Sequence, residues 1–298
     1  LMPTLSQTKN FSNYLKTPYF KVIADNVDLT FSPRIYDNNS ILYQAEYRHL
    51  TKNSNHILDF SVKNDKLILL ENESTKTHFF SESIIKTENK FFEESLFNIK
   101  IQKTSDSDYI KSYDIDSPII SSQNLLNSKI EFTGFRDDID LLVSTEVFED
   151  LGKNRNDRYE FIIPNFDFDK EIETNLTGSL KYSTSGYGKF YDTNVSEKVL
   201  INNLSFNSSD SITTNGLVNN YEILIKNFNA DTKNSSEFKN KNEHDLQGII
   251  NFQSKLPLQK KGGKYNSLFT PIFSARYNPY NNKNLKNKDR MIDFNNIY

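Results

Sequence analysis

The stretch NVDLTFSPRIYDNNSILYQAEYRHL, residues 26–50, decides the fold class of this chain, because apolar and polar residues alternate along both of its halves. Residues 37–40, with the sequence DNNS, are typical of a turn between the two halves. The apolar set is Val27, Leu29, Phe31, Tyr43, Ala45 and Tyr47, and the polar set is Asp28, Thr30, Ser32, Gln44, Glu46 and Arg48. Successive side chains of a strand point to opposite faces, so a period of two predicts two antiparallel strands with unlike faces.

The length and composition of the chain leave open which solvent each face meets. The chain has 298 residues, 36% of them hydrophobic, and no segment approaches the roughly 18 continuous apolar residues that a membrane helix requires. A membrane barrel exposes only alternate strand residues to lipid and uses strands of about 9–11 residues, which fits the alternating segments. We therefore predict an all-β fold: an antiparallel transmembrane β-barrel, here incomplete, with about a dozen strands.

The same alternation continues along the chain, which is rich in aromatic residues, with 23 Phe and 16 Tyr. The predicted strands are residues 14–23, 57–63, 92–103, 139–147, 159–163, 176–182, 198–206, 221–228, 246–252 and 268–277, in addition to the two in residues 26–50. Residues 109–126 show a faint helical period, Pro164 is expected to end its strand, and Gly186-Tyr187-Gly188 is typical of a hairpin turn rather than a dinucleotide loop.

The sequence contains no pattern of catalytic or metal-ligating residues. It has no cysteine and only four histidines, none of them with a second histidine at ligand spacing, so we expect no metal site and no cofactor. The carboxylates at Asp137, Asp138 and Asp140 do not form a calcium loop and are expected to be solvated. A net charge of −3 provides no basic field that would attract nucleic acid.

Several segments, taken in order, resemble one family. They are TPYF at 17–20, IADN at 23–26, DLTFSPR at 28–34, AEYRHL at 45–50, DYIKSY at 108–113, RYEFIIP at 158–164, LFTP at 268–271, RY at 276–277 and IDFNNI at 292–297. This succession resembles the LPS-assembly protein LptD family, also called organic solvent tolerance protein or OstA. The resemblance implies that residues 1–298 are part of one transmembrane β-barrel domain, roughly the first half of the barrel, without the periplasmic N-terminal domain or the closing strands. Because the chain also starts without a signal peptide, we expect a fragment or a mature piece.

The resemblance implies a non-enzymatic outer-membrane translocon, which moves lipopolysaccharide through a hydrated lumen and a lateral gate into the outer leaflet. The implied gate residues are Pro18, Asp25 and Pro33, where Asp25 stands at a position at which family members often have proline. The implied lumen residues, in contact with saccharide or with the plug, are Asp28, Thr30, Arg34, Gln44, Glu46 and Arg48. The implied partners are lipopolysaccharide, an LptE-like plug lipoprotein, an LptA-like periplasmic bridge protein and outer-membrane lipid.

Two other hypotheses fit the same alternation. A secreted soluble β-sheet adhesin or glycan-binding module would fold in water without detergent. An outer-membrane hydrolase would need a serine and a histidine on adjacent strands near the membrane surface, and no histidine in the sequence is convincingly placed for that role.

Overall fold

The structure is a computed structural model that describes residues 2–6, 13–37, 40–64, 75–154, 157–191, 193–239, 242–263 and 265–279. These residues form strands and one helix of a single turn, which confirms the predicted all-β fold. Asn38 and Asn39 of the predicted turn, and the family segment at residues 292–297, lie outside the described residues. Within the described ranges, no helix is long and apolar enough to cross a membrane.

The elements follow one another along the chain with mostly short connections. They are β1 (Thr4–Ser6), β2 (Tyr14–Lys16), β3 (Tyr19–Ala24), β4 (Val27–Phe31), β5 (Arg34–Tyr36), β6 (Ile41–Leu50), β7 (Ser54–Asn64), β8 (Lys76–Lys86), β9 (Glu94–Thr104), α1 (Tyr109–Ser112), β10 (Leu125–Arg136), β11 (Ile139–Asp150), β12 (Tyr159–Ile172), β13 (Gly178–Tyr191), β14 (Val195–Ser208), β15 (Ser211–Ile212), β16 (Val218–Lys233), β17 (Asn242–Lys255), β18 (Leu258–Lys261), β19 (Asn266–Phe269) and β20 (Ile272–Tyr277). Eleven of the described strands have ten or more residues, which agrees with the expected dozen.

Contacts divide the chain into two compact units. Unit 1 comprises Leu1–Phe135, Val143–Ile163 and Tyr191–Thr193, and unit 2 comprises Arg136–Leu142, Pro164–Phe190 and Asn194–Tyr298. The single barrel domain spanning residues 1–298 stays a prediction.

Unit 1 contains an antiparallel meander in which β6, β7, β8, β9 and β10 pair in sequence order. The first hairpin precedes this meander. Strands β2 and β3 form its outer arm, and strands β4 and β5 form its inner arm, which pairs with β6. The register is the same on both sides of the breaks at Pro18 and Pro33, since Tyr19 pairs with Phe31 and Lys16 pairs with Arg34. Each arm is therefore one long strand with a proline near its middle.

The two faces of the unit 1 sheet differ. One face, here called the open face, carries exposed apolar side chains, among them Tyr43, Phe60, Val62, Phe79, Phe97, Ile101 and Ile130. The other, here called the covered face, carries buried side chains, among them Arg34, Leu42, Gln44, Asp59, Ser61, Lys63, His78, Phe80, Gln102 and Thr104. Residues 105–124, which connect β9 to β10 and include α1, pack on this face and are here called the covering segment.

Unit 2 contains an antiparallel arrangement in which β14 pairs with β16, β16 with β17, and β17 with β20. One of its faces is apolar and exposed, with Leu204, Tyr221, Ile223, Ile225, Ile250, Phe252 and Tyr277. The opposite face buries a mixed set that includes Glu197, Val199, Ala230, Thr232 and Asp245. Unit 2 thus repeats the two unlike faces of unit 1.

Three local predictions were wrong. Strand β12 runs through Pro164 to Ile172 instead of ending there. The Gly186-Tyr187-Gly188 motif lies inside β13 rather than in a turn. Glycine is required at position 186 for packing, since a Cβ atom there would come within 2.9 Å of the Phe166 ring. The helical period over residues 109–126 corresponds only to the four-residue α1.

Candidate functional site

The covered face of unit 1 brings the predicted lumen residues onto one surface. Strand pairing places Asp28 opposite Arg48, Thr30 opposite Glu46, and Arg34 opposite Leu42, next to Gln44 on the same face. Residues two apart on a strand share a face, so all six predicted side chains belong to this surface. They fall into three environments: a buried cluster, a cavity and an exposed ion pair.

The buried cluster is centred on Arg34, whose side chain is 1% exposed. Its guanidinium donates hydrogen bonds to the backbone oxygens of Tyr113 at 2.6 Å and Asp114 at 2.7 Å, and to Gln44 Oε1 at 2.9 Å. The Gln44 amide group in turn donates to the Asp116 backbone oxygen at 2.9 Å and to Asp59 Oδ1 at 3.1 Å. A rigid fork of N–H donors suits Arg34 to adjacent carbonyls, so these two side chains hold the covering segment by its main chain.

A second row of the cluster joins Asp59, Ser61, His78 and Tyr109. His78 Nδ1 and the Tyr109 hydroxyl each lie 2.6 Å from Ser61 Oγ, and His78 Nε2 lies 3.2 Å from Asp59 Oδ1, outside hydrogen-bonding geometry. Burial raises the pKa of Tyr109 to about 12, so its phenol is neutral at physiological pH and serves as a hydrogen-bonding group.

The row has the residue types of a hydrolase triad but not the access that hydrolysis needs. A nucleophilic serine must present its Oγ to a substrate carbonyl with oxyanion donors beside it. Here Ser61 is 1% exposed, the side chains of Asp59 and His78 are fully enclosed, and Tyr109 occupies the space in front of Ser61 Oγ. The geometry therefore supports a packing role, and the hydrolase hypothesis gains nothing from it.

A cavity of about 440 Å³ lies on the covered face beside the buried cluster. Eight of its eleven lining residues are polar or charged, and the lining consists of Met2, Thr4, Lys16, Pro18, Thr30, Ser32, Gln44, Glu46, Asp116, Ser117 and Pro118. Three predicted lumen residues, Thr30, Gln44 and Glu46, and one predicted gate residue, Pro18, thus line the same space. Hydroxyl, amide and carboxylate groups in this arrangement can exchange hydrogen bonds with a hydroxyl-rich ligand.

The remaining predicted lumen residues form an ion pair at the end of the covered face. Arg48 Nε lies 2.8 Å from Asp28 Oδ1 and 3.6 Å from Glu46 Oε1. The Arg48 side chain is 46% exposed, so this pair contributes little to stability, about 0–1 kcal/mol. Its charges are accessible to solvent and to a ligand.

The predicted gate residues lie in the first hairpin. Its outer strand pairs with β1 over Tyr14–Lys16, whereas its β3 part pairs with β4 and with no second strand in the described part of the chain. The Thr17 amide donates to the Pro33 oxygen at 3.1 Å, and the Ser32 amide donates to the Gln44 oxygen at 2.7 Å. Amides alternate between the two sides of a strand, so the Pro33 nitrogen faces Thr17, inside the sheet, and the Pro18 nitrogen faces the outer edge. Asp25 lies in the turn between β3 and β4.

The sequence did not single out Asp59, Ser61, His78, Tyr109 or Asp116 as site residues. Alternation in β7 does place Asp59 and Ser61 on one face. The register that sets His78 opposite Ser61, and the contact with Tyr109 from 48 residues further along the chain, become visible only in the folded chain.

The fold and the site together define an all-β chain in which the strands of each unit have one exposed apolar face and one polar or mixed face. No protein-family model matches it. The chain is similar to "LPS-assembly protein LptD" of Pseudomonas putida (strain W619), with 24% identity over 196 residues, 65% of this chain and 20% of that protein. It is also similar to "LPS-assembly protein LptD" of Pseudomonas aeruginosa (strain UCBPP-PA14), with 35% identity over 66 residues, 22% of this chain and 7% of that protein. These similarities support a relationship to LPS-assembly proteins, of whose length the chain matches a fifth or less.

Proposed function

We propose that this chain is part of an outer-membrane β-barrel that assembles lipopolysaccharide into the outer leaflet, without catalysing a reaction. The observation that carries the proposal is the repeated combination of an exposed apolar face and a polar or mixed face, in a chain similar to LPS-assembly proteins. In this proposal residues 1–298 belong to one barrel domain, and lipopolysaccharide, a plug lipoprotein, a periplasmic bridge protein and membrane lipid are its partners.

The apolar faces meet the hydrocarbon of the membrane in this proposal. Large side chains such as Phe60, Phe79 and Ile101 in unit 1 and Ile223 and Ile250 in unit 2 are 37–46% exposed. In water, exposed apolar patches of this extent are costly and promote association, whereas in lipid they are the required surface. The covered face then encloses water, and its cavity contacts the saccharide of the passing lipid.

The outer edge of β3 forms one side of the lateral exit in this proposal. All six residues of β3 are exposed, as expected for a strand that has to part from its neighbour. Pro18 lacks the N–H that would otherwise point across this edge, and an opposing strand therefore gains one hydrogen bond fewer.

The assignment of the apolar face is tested by Ile250→Lys. If Ile250 contacts lipid, the lysine should lower the free energy of unfolding from phospholipid vesicles by about 2–4 kcal/mol, because a charge near the bilayer centre is poorly solvated. The matched control is Asn251→Lys, one residue further on β17 and on the opposite face, and we expect it to change that free energy by less than about 0.5 kcal/mol. Urea titration of the vesicle-bound complete gene product measures both.

The soluble adhesin hypothesis makes the opposite prediction for this experiment. A water-exposed Ile250 would accept lysine with almost no change, and the protein would stay monodisperse in buffer without detergent. That pair of results would refute the membrane proposal.

The exit edge is tested by Pro18→Val. Valine restores an N–H at the outer edge, which should strengthen the closure by about 0.5–1.5 kcal/mol and reduce delivery of lipopolysaccharide to the surface. Pro33→Val is the control, since its new N–H faces the Thr17 oxygen inside the first hairpin. The measurements are surface lipopolysaccharide and permeability to large antibiotics, and equal effects of the two variants would contradict the role given to Pro18.

A further inference from the structure

The covering segment is packed on the covered face as tightly as a domain core. Its Tyr109, Ile110 and Ile115 are completely buried, and Ile119 is 2% exposed. They form one cluster with strand residues that include Leu42 and Phe80, which are also completely buried. A loop that merely connected two strands would lie on the surface and would not need four buried apolar side chains.

Strand side chains hold the segment at intervals along its length through its backbone. Arg34 binds the oxygens of Tyr113 and Asp114, Gln44 binds that of Asp116, and the Gln102 side chain donates to the Ile119 oxygen at 2.9 Å. Lys63 adds a cation–π contact, with its Nζ 4.4 Å from the centre of the Tyr113 ring. Donors from β5, β6 and β9 therefore fix one path of the chain across three separate strands.

The conformation at Asp114 shows that the path is specified in detail. Asp114 has a φ of 47°, a left-handed conformation usually left to glycine, and it ends α1 with the Ile115 amide bonded to the Ile110 oxygen at 2.9 Å. This turn directs the oxygens of Tyr113 and Asp114 toward Arg34. A non-glycine residue persists in such a conformation only where its surroundings determine it.

We propose that the covering segment is a built-in plug that seals the part of the covered face around Ser61, His78 and Gln102, on β7, β8 and β9, and leaves open the cavity beside the first hairpin. The inference rests on the proposed function and narrows it: the saccharide passes along Thr30 and Glu46, next to the exit edge at β3, and not along Ser61 and His78. Small solutes are excluded from the sealed part by the same packing.

The absence of cysteine from the chain allows a direct test by thiol labelling. Single variants Ser61→Cys, under the plug, and Thr30→Cys, in the cavity, are treated in the purified, folded complete gene product with a charged methanethiosulfonate reagent. We expect Ser61→Cys to react at least about tenfold more slowly than Thr30→Cys, because a buried group reacts only through local opening. Equal rates in the intact protein would overturn the proposal.

Removal of the plug provides the second arm of the test. Replacing residues 107–122 with a short Gly-Ser linker should raise the labelling rate of Ser61→Cys to that of Thr30→Cys and leave Thr30→Cys unchanged. Cells that carry the shortened protein should take up small hydrophilic antibiotics faster. The proposal would be overturned if removal of the plug left the labelling rate of Ser61→Cys unchanged. It would also be overturned if that rate rose while the uptake of small hydrophilic antibiotics stayed the same.

Arg34→Lys keeps this test decisive if the shortened protein does not fold. Lysine retains the charge but has one nitrogen in place of the two that bind the segment oxygens and Gln44, so Ser61→Cys should become several times more reactive, and no increase would count against the plug. Labelling requires neither a membrane nor lipopolysaccharide. Slow labelling of Ser61→Cys together with an unchanged free energy of unfolding for Ile250→Lys would therefore refute the proposed function alone. The coverage of Ser61 by the segment would still be established.

Discussion

Replacing Arg34 with methionine is expected to lower the free energy of unfolding by about 3–5 kcal/mol, because the buried Gln44 and two part-buried backbone oxygens lose a charged donor at once. Methionine fills a similar length but leaves the oxygens of Tyr113 and Asp114 and Gln44 Oε1 without their partner. Equilibrium urea unfolding, in the detergent or buffer that keeps the protein folded, measures the change.

The control for this variant is Arg48→Met, the same substitution on the same face. The Arg48 side chain is 46% exposed and pairs with Asp28 at 2.8 Å, so its loss should cost no more than about 1 kcal/mol. Equal costs for the two variants would show that Arg34 does not hold the covering segment in solution.

Replacing Tyr109 with alanine is the second substitution with a large expected effect, about 3–5 kcal/mol. Tyr109 is completely buried, and its ring centre lies 5.2 Å from that of Tyr113 and 6.2 Å from that of His78. Alanine leaves a cavity between the covering segment and the strands, and the close packing of the buried cluster limits how far its neighbours can move to fill it.

Tyr109→Phe separates packing from hydrogen bonding at the same position. It keeps the ring and removes only the hydroxyl that lies 2.6 Å from Ser61 Oγ, so it should cost about 0.5–1.5 kcal/mol. If phenylalanine proved as destabilising as alanine, the hydroxyl contact and not the packed ring would be what secures the segment.

The sequence predicted strands best where only one face is apolar. In β7, Leu58, Phe60 and Val62 alternate with Asp59 and Ser61, and the strand was predicted within three residues at its start and one at its end. Strand β8 escaped prediction because Phe79 lies on the open face while Phe80 is buried under the covering segment. Where a strand covered by its own chain carries apolar side chains on both faces, as β8 does, the period of two is lost.

The buried cluster could be predicted only in part. Alternation placed Arg34 and Gln44 on the polar face, where the resemblance gave them a role in contact with saccharide or plug, but it could not reveal that both are buried against a later segment. Gly186 shows a similar limit, because its reason is the Phe166 ring across the sheet, and a distant aromatic side chain leaves no mark on the local sequence. In both cases the residue's environment is set by a contact with a part of the chain that is distant in sequence.

The way in which Arg34, Gln44 and Gln102 hold the covering segment has a consequence for its evolution. All three bind the segment through its carbonyl oxygens, which every amino acid possesses, and not through its side chains. Mutations at the exposed positions 116 and 118 can therefore accumulate without loss of these bonds, whereas Ile115 and Ile119 are buried and position 114 needs a residue tolerant of positive φ, such as glycine, asparagine or aspartate. Homologues could differ at these exposed positions and still bind the segment in the same place, so sequence divergence there is no sign of a different architecture.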